Sequence, residues 1–238
     1  MSEYGNVSSS PGLRKSATLR RYLDLPKLLD FIHSKALHLR RADGFTDRLE
    51  GALFPTLRAF MDECHAGEKI EFNADQFYQR ARVGNYVSCW TFGSKDNMTH
   101  WQLYAGVRSG IAITTTVERL VRTALSWDRE VIISKVKYVD HTKVKRYAIS
   151  LHSDVLQFKH EAYRNDKEVR VIVPQQGDAW KSNPIEIRLP VADLDMLVKT
   201  IVVAPEASPE FYEAVKRLCS QYGLKAPVLQ SALVMVPV

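Results

Sequence analysis

The run Asp166-Lys-Glu-Val-Arg-Val-Ile-Val sets charge most densely against apolar residues. Read as a strand, its side chains alternate between faces. Val169, Val171 and Val173 then share one face, and Asp166, Glu168 and Arg170 share the other, within reach of one another. Such a strand suits the floor of a polar cleft where a charged ligand is met, and equally a solvated face laced by cross-strand salt bridges. Near the start, Leu19-Arg20-Arg21-Tyr22-Leu23 alternates so that Arg21 falls between two leucines. A guanidinium drawn out of water requires a carboxylate, phosphate or carbonyl. Arg21 is therefore a structural ion-pair partner or an anion clamp. The third set is aromatic. Tyr86, Ser88, Trp90 and Phe92 share a strand face, and Met98, Trp101 and Tyr104 recur three apart, on one side of a short helix. These rings build core, or with their polar tips line the rim of a pocket.

Other chemistries find no support. The sequence has no G-x-G-x-x-G, Walker A loop, G-x-S-x-G or H-E-x-x-H. Its seven histidines are scattered without zinc-ligand spacing, so no metal is expected. Cys64, Cys89 and Cys219 are odd in number and far apart, which fits free thiols in a reducing cytoplasm. No apolar run is long enough to span a bilayer, and the first residues lack the pattern of a signal peptide, so no membrane partner is expected. The net charge of +6 invites a polyanion, a nucleotide or nucleic acid.

The elements that must position these residues follow from local pattern. At 238 residues, 45% hydrophobic and 25% charged, the composition is that of a globular domain. Residues 1–16 read as a flexible Ser/Gly-rich tail, and 17–238 as one domain. Asp24 and Pro26 open a helix after the strand 17–23, and a strand at 36–41 follows. A helix carries Leu49, Leu53, Leu57, Phe60 and Met61, and Asn73-Ala-Asp-Gln76 opens another through a capping box. Strands are expected at 86–92, 110–116, 131–139, 169–173, 185–189, 201–203 and 232–236. Helices are expected at 96–105, 147–164 and 209–222. The interleaving lacks βαβ periodicity, which predicts an α+β fold: a single mixed domain with a mainly antiparallel, split sheet flanked by helices.

Several motifs, taken in order, resemble the signature of a widespread bacterial family, the domain-of-unknown-function family twenty-nine seventy-one. They are Arg21-Tyr22, then Ala42-Asp43-Gly44-Phe45-Thr46-Asp47 with Glu50-Gly51, then Val87-Ser88-Cys89-Trp90 and Met98-x-x-Trp101-x-x-Tyr104. Gly110-Ile-Ala-Ile113 follows, then Phe158-Lys159-His160 with Glu168-Val-Arg170. The resemblance runs from Leu19 to about Ser231. It implies a cytoplasmic bacterial protein, a defence-associated or toxin-like effector with a neighbouring defence or antitoxin protein as partner. A more distant similarity is to ADP-ribosyltransferases, which place an Arg or His on the first strand, a Ser, Thr or Tyr on a middle strand and a Glu on a late one. Arg21, Ser88 and Glu168 stand in those places, although the middle motif is Ser-Cys-Trp and the first acid of the late pair is Asp.

That similarity implies NAD as cofactor. Arg21, with Tyr22 and Arg170, would bind it, and Trp90, Trp101 or Tyr104 would stack on nicotinamide. Glu168 would stabilise the oxocarbenium-like charge, Ser88 would orient Glu168, and Asp166 would activate the acceptor. Asp43, Asp47 and Glu50 are expected to act structurally, Asp43 on its own turn and Asp47 as a helix cap. Two alternatives stand beside this reading. One is a nucleic-acid-binding protein or metal-independent nuclease, with Arg14, Lys15, Arg20, Arg40, Arg41 and the basic run 135–146 on phosphates. Lys159, His160 and Tyr163 would then be its acid and base groups. The other is a non-catalytic sensor or interaction domain whose charges form a salt-bridge network.

Overall fold

The computed structural model describes residues 5–47, 49–144, 149–175, 177 and 181–233. Along the chain its strands are β1 (Val7–Ser9), β2 (Thr18–Leu23), β3 (Ala36–Arg41), β4 (Asn85–Phe92), β5 (Ile111–Thr116), β6 (Val131–Lys135) and β7 (Lys137–Val139). They continue with β8 (Phe158–His160), β9 (Glu168–Pro174), β10 (Glu186–Pro190), β11 (Thr200–Val203) and β12 (Val228–Gln230). The helices are α1 (Leu25–Ser34), α2 (Pro55–Ala66), α3 (Ala74–Val83), α4 (Met98–His100), α5 (Val117–Ala124), α6 (Leu194–Leu197) and α7 (Pro209–Gln221). Strand pairing is mostly antiparallel, so the fold is α+β. The residues gather into two compact units, one of 1–38, 89–128 and 188–238, the other of 39–88 and 129–187.

In the first unit β2 pairs antiparallel with β4 (Leu19↔Phe92) and with β5 (Arg21↔Ile113). β11 continues antiparallel from β5 (Ile201↔Ile113), and β12 adds in parallel (Ile201↔Val228). The Asp24 side chain accepts from the Lys27 amide at 2.9 Å, which fixes the start of α1. Leu28, Phe31 and Ile32 of α1 face the core, and Lys35, at φ 45°, ends the helix in a left-handed cap. α5 lies outside the expected elements, although Thr116 caps it and Val117, Leu120, Val121 and Ala124 form its buried stripe. Residues 6–13, expected as tail, include β1, a buried Val7, and the Asn6 amide donating to the Trp127 carbonyl at 2.7 Å.

In the second unit β6 and β9 pair antiparallel (Ser134↔Arg170), Arg40 and Arg41 of β3 pair with Val87 and Tyr86 of β4, and β7 lies parallel to β8. Both bonds of the Asn73–Gln76 capping box hold α3. The expected helix over Leu49–Met61 is shorter than its pattern. It opens only at Pro55, because Asp47 and Gly51 make turns before it. The helix expected over 147–164 is absent from its described part, 149–164, which holds a 3-10 turn (Asp154–Gln157), β8, and a second 3-10 turn (Glu161–Asp166). Val155 and Leu156 are buried from the 3-10 turn, and Phe158 from β8. Most of the strand expected at 232–236 lies outside the described residues.

Candidate active site

The charged side chains of the second unit meet around β9. The strand starts at Glu168; Asp166 instead ends the preceding 3-10 turn, and Lys167 between them takes a left-handed φ of 47°. Both faces of β9 are buried from Val169 to Val173, so Arg170 is enclosed, while Glu168 at the head of the strand and Asp166 before it keep some contact with solvent. Arg170, 1% exposed, is enclosed by acceptors. Its Nη1 donates to Glu50 and, at 2.6 Å, to the Leu156 carbonyl. Its Nε and Nη2 donate to Oε2 of Glu168 at 3.2 and 2.8 Å. Lys159 lies 2.9 Å from Asp166 and 3.6 Å from the same Glu168 oxygen. Glu168, at 12%, retains more contact with solvent than Arg170 does.

Electrostatics follow from burial and pairing. Desolvation raises the Glu50 carboxyl, and Arg170 opposes that only in part. Burial on its own would lower Lys159, but Glu168 and Asp166 overcome it and hold the ammonium above its ordinary range. Burial pushes the Tyr138 phenol up to about 12, so it stays neutral and accepts the Glu168 backbone N–H at 2.7 Å. Sequence reasoning misses Tyr138 and the Glu50 anchor as parts of this cluster. Glu50 lies 120 positions from Arg170, and no local pattern links them. The one usable signal is the Glu50-Gly51 step. Gly51 has φ +74°, and a Cβ there would meet the Leu156 side chain at 3.2 Å. The neighbouring turns are also tied down. Asp43 pairs with Arg41, and Asp47 accepts from the Leu49 amide in a local turn instead of capping a helix.

Ser88, also in the second unit, is a buried β4 residue. In the first unit both arginines of β2 are drawn out of water, Arg21 at its guanidinium, as alternation points to, and Arg20 as well. Arg20 and Asp96 form an ion pair with both side chains 5% exposed, and Arg20 also donates to the Ser94 carbonyl at 3.0 Å. Arg20 is thus a structural ion-pair partner and is withdrawn from the phosphate-binding set. Arg21 donates to the His38 carbonyl at 3.3 Å, and burial lowers its guanidinium below the usual range. Tyr22 meets Trp101 edge-on at 4.9 Å and His100 at 5.4 Å, and its hydroxyl accepts from the Asn97 amide at 3.2 Å. Trp90 and Trp101 are enclosed, and their indole N–H groups meet no acceptor among the described residues. Tyr104 is half exposed. Among the described residues no group of three or more His, Cys, Asp or Glu side chains is arranged to hold a metal ion. No helix among them is long and apolar enough to cross a membrane.

No family model matches the chain, and no curated protein matches it. Solved structures of DarT from Thermus sp. 2.9 do show similarity. Its complex with carba-NAD+ has 11% identity and a TM-score of 0.41 over 92% of this chain and 96% of that one. The complex with ADP-ribosylated ssDNA has 10% identity and a TM-score of 0.42, over 92% and 95%. The NAD+ complex has 10% identity and a TM-score of 0.43, over 91% and 96%. Scores this low leave the site to be judged on this chain's own residues.

Proposed function

We propose that the chain is an ADP-ribosyltransferase-like enzyme that uses NAD, with Glu168 as its catalytic carboxylate and a nucleotide or nucleic acid as its acceptor. The observation that carries this reading is the state of Glu168. It is a carboxylate at the head of a buried strand, anchored through one oxygen by a fully buried guanidinium, yet itself less enclosed than that partner. A pre-placed negative charge is what an oxocarbenium-like transition state requires, because no reorganisation is needed when the charge develops. In the reaction the bond between the ribose C1′ and the nicotinamide nitrogen breaks, and its electron pair leaves with nicotinamide. The acceptor's oxygen or nitrogen then bonds to C1′, and the acceptor proton passes to a base, for which Asp166 is the proposed group. Glu50-Gly51 and Glu168-Val-Arg170, two of the motifs in which the sequence resembles that bacterial family, fall on members of this cluster.

A second reading is favoured by the same bonds. Every guanidinium nitrogen of Arg170 has an acceptor, as a purely structural salt-bridge network would require. The distinguishing experiment is nicotinamide release from NAD by purified wild-type protein, alone, with single-stranded DNA or RNA, and with cell extract. Release in any of these conditions is expected. None in all of them would overturn the enzyme reading and leave the structural network.

A further inference from the structure

We propose that Glu50 and Arg170 form a positioning relay that fixes the orientation of the Glu168 carboxylate; the proposal rests on the reading of Glu168 as catalytic. Glu50 is 2% exposed and reaches Arg170 from a turn that Gly51 makes with φ +74°. The Leu156 carbonyl takes a second bond from the same guanidinium nitrogen, and the Phe45 ring lies 6.0 Å from the guanidinium carbon. With Nη1 occupied by Glu50 and Leu156, the planar fork has one orientation left, and its Nε and Nη2 both fall on Oε2 of Glu168. The carboxylate is thus held through one oxygen by two donors, which a flexible ammonium would not reproduce. From the backbone side, Tyr138 fixes the Glu168 amide. Arg170, expected from the sequence to bind NAD, instead has each guanidinium nitrogen on Glu168, Glu50 or the Leu156 carbonyl, and neither it nor Glu50 is given a contact with substrate in this proposal. Each acts through Glu168.

Arg170→Lys tests the relay, since it keeps the charge beside Glu50 and removes the fork. Glu50→Gln is the second variant, should the first fail to fold. In folded protein, kcat for nicotinamide release is expected to fall about 10–100-fold in Arg170→Lys, with KM changed less than about threefold, since orientation is needed chiefly in the transition state. A folded Arg170→Lys with wild-type kcat would overturn the relay. A readout independent of turnover is the pH titration of the Glu168 ¹³Cδ resonance. Weakening the hold of the guanidinium disfavours the charged carboxylate, so the titration is expected to move to higher pH in Arg170→Lys, whereas Glu50→Gln removes a like charge that opposes Glu168 and is expected to move it to lower pH. An unchanged titration in both would also overturn the relay. Absence of nicotinamide release by wild type would refute the enzyme reading, and the titration would then decide by itself whether Glu50 and Arg170 hold Glu168.

Discussion

Replacing Asp96 by Asn keeps the shape of the side chain and removes the charge opposite Arg20. Both partners are 5% exposed, so the guanidinium stays buried with the Ser94 carbonyl as its remaining acceptor in that contact. Breaking a buried pair on one side costs about 3–5 kcal/mol, because a desolvated charge is left without its counter-charge. The Ser94 bond recovers part of that, so about 3 kcal/mol is expected. For a chain of this length each kcal/mol moves the melting temperature by about 2–4 °C, so Asp96→Asn should melt about 6–12 °C lower. Asp75→Asn is the control. Its partner Arg58 and Asp75 itself are 46% and 71% exposed, and such surface pairs contribute less than about 1 kcal/mol. Circular dichroism melts of wild type and both variants in one buffer make the comparison. Equal melting temperatures for Asp96→Asn and wild type would refute the buried pair. A second contradiction would be an Arg20→Gln variant whose nucleic-acid affinity loses about one phosphate's share of its salt dependence, since a side chain committed to Asp96 does not reach a phosphate.

Stability should also fall as the solution is acidified. Burial lowers His141 and His152 below the ordinary histidine value of 6.5, with His160 adding to the effect on His141 and Arg80 to that on His152. The unfolded chain therefore binds more protons than the folded one just below pH 6.5, and stability held above that pH is lost on descending through it. Melting temperatures from pH 7.5 to 5.5 should decline, and substituting both histidines by Phe should flatten the decline; an unchanged slope would contradict the assignment. Gly51→Ala should destabilise by roughly 1–2 kcal/mol through its positive φ and the contact with Leu156. It should also lower nicotinamide release, and a variant with wild-type stability would show that the turn does not need glycine.

Local chemistry makes some elements legible in the sequence itself. Asp24 with Pro26, and Asn73 with Gln76, announce helices because a side chain close in sequence satisfies the exposed amides. Alternation fails on β2 and β9 for one reason: both faces are covered, so a period of two no longer separates inside from outside. That is why alternation singles out Arg21, which does meet the His38 carbonyl, and passes over Arg20, which holds the buried ion pair. The sequence points to Asp166, Glu168 and Arg170 as a group, and the three do join one cluster through Lys159 and Glu168 itself. It marks Glu50 as structural but does not disclose its bond to Arg170, because the turn that delivers it is distant along the chain and marked only by a glycine.

The central claim is that Glu168 does chemistry, and Glu168→Gln measures it most directly. Glutamine preserves volume and hydrogen-bonding reach and removes the charge, while Arg170 keeps Glu50 and the Leu156 carbonyl as acceptors. Nicotinamide release is followed for wild type and mutant beside a melting curve. A rate lower by about 10²–10³ is expected in a protein that still folds, the usual loss when one transition-state contact is removed. A mutant that releases nicotinamide at the wild-type rate and melts several degrees lower would contradict the claim and make Glu168 a structural partner of Arg170.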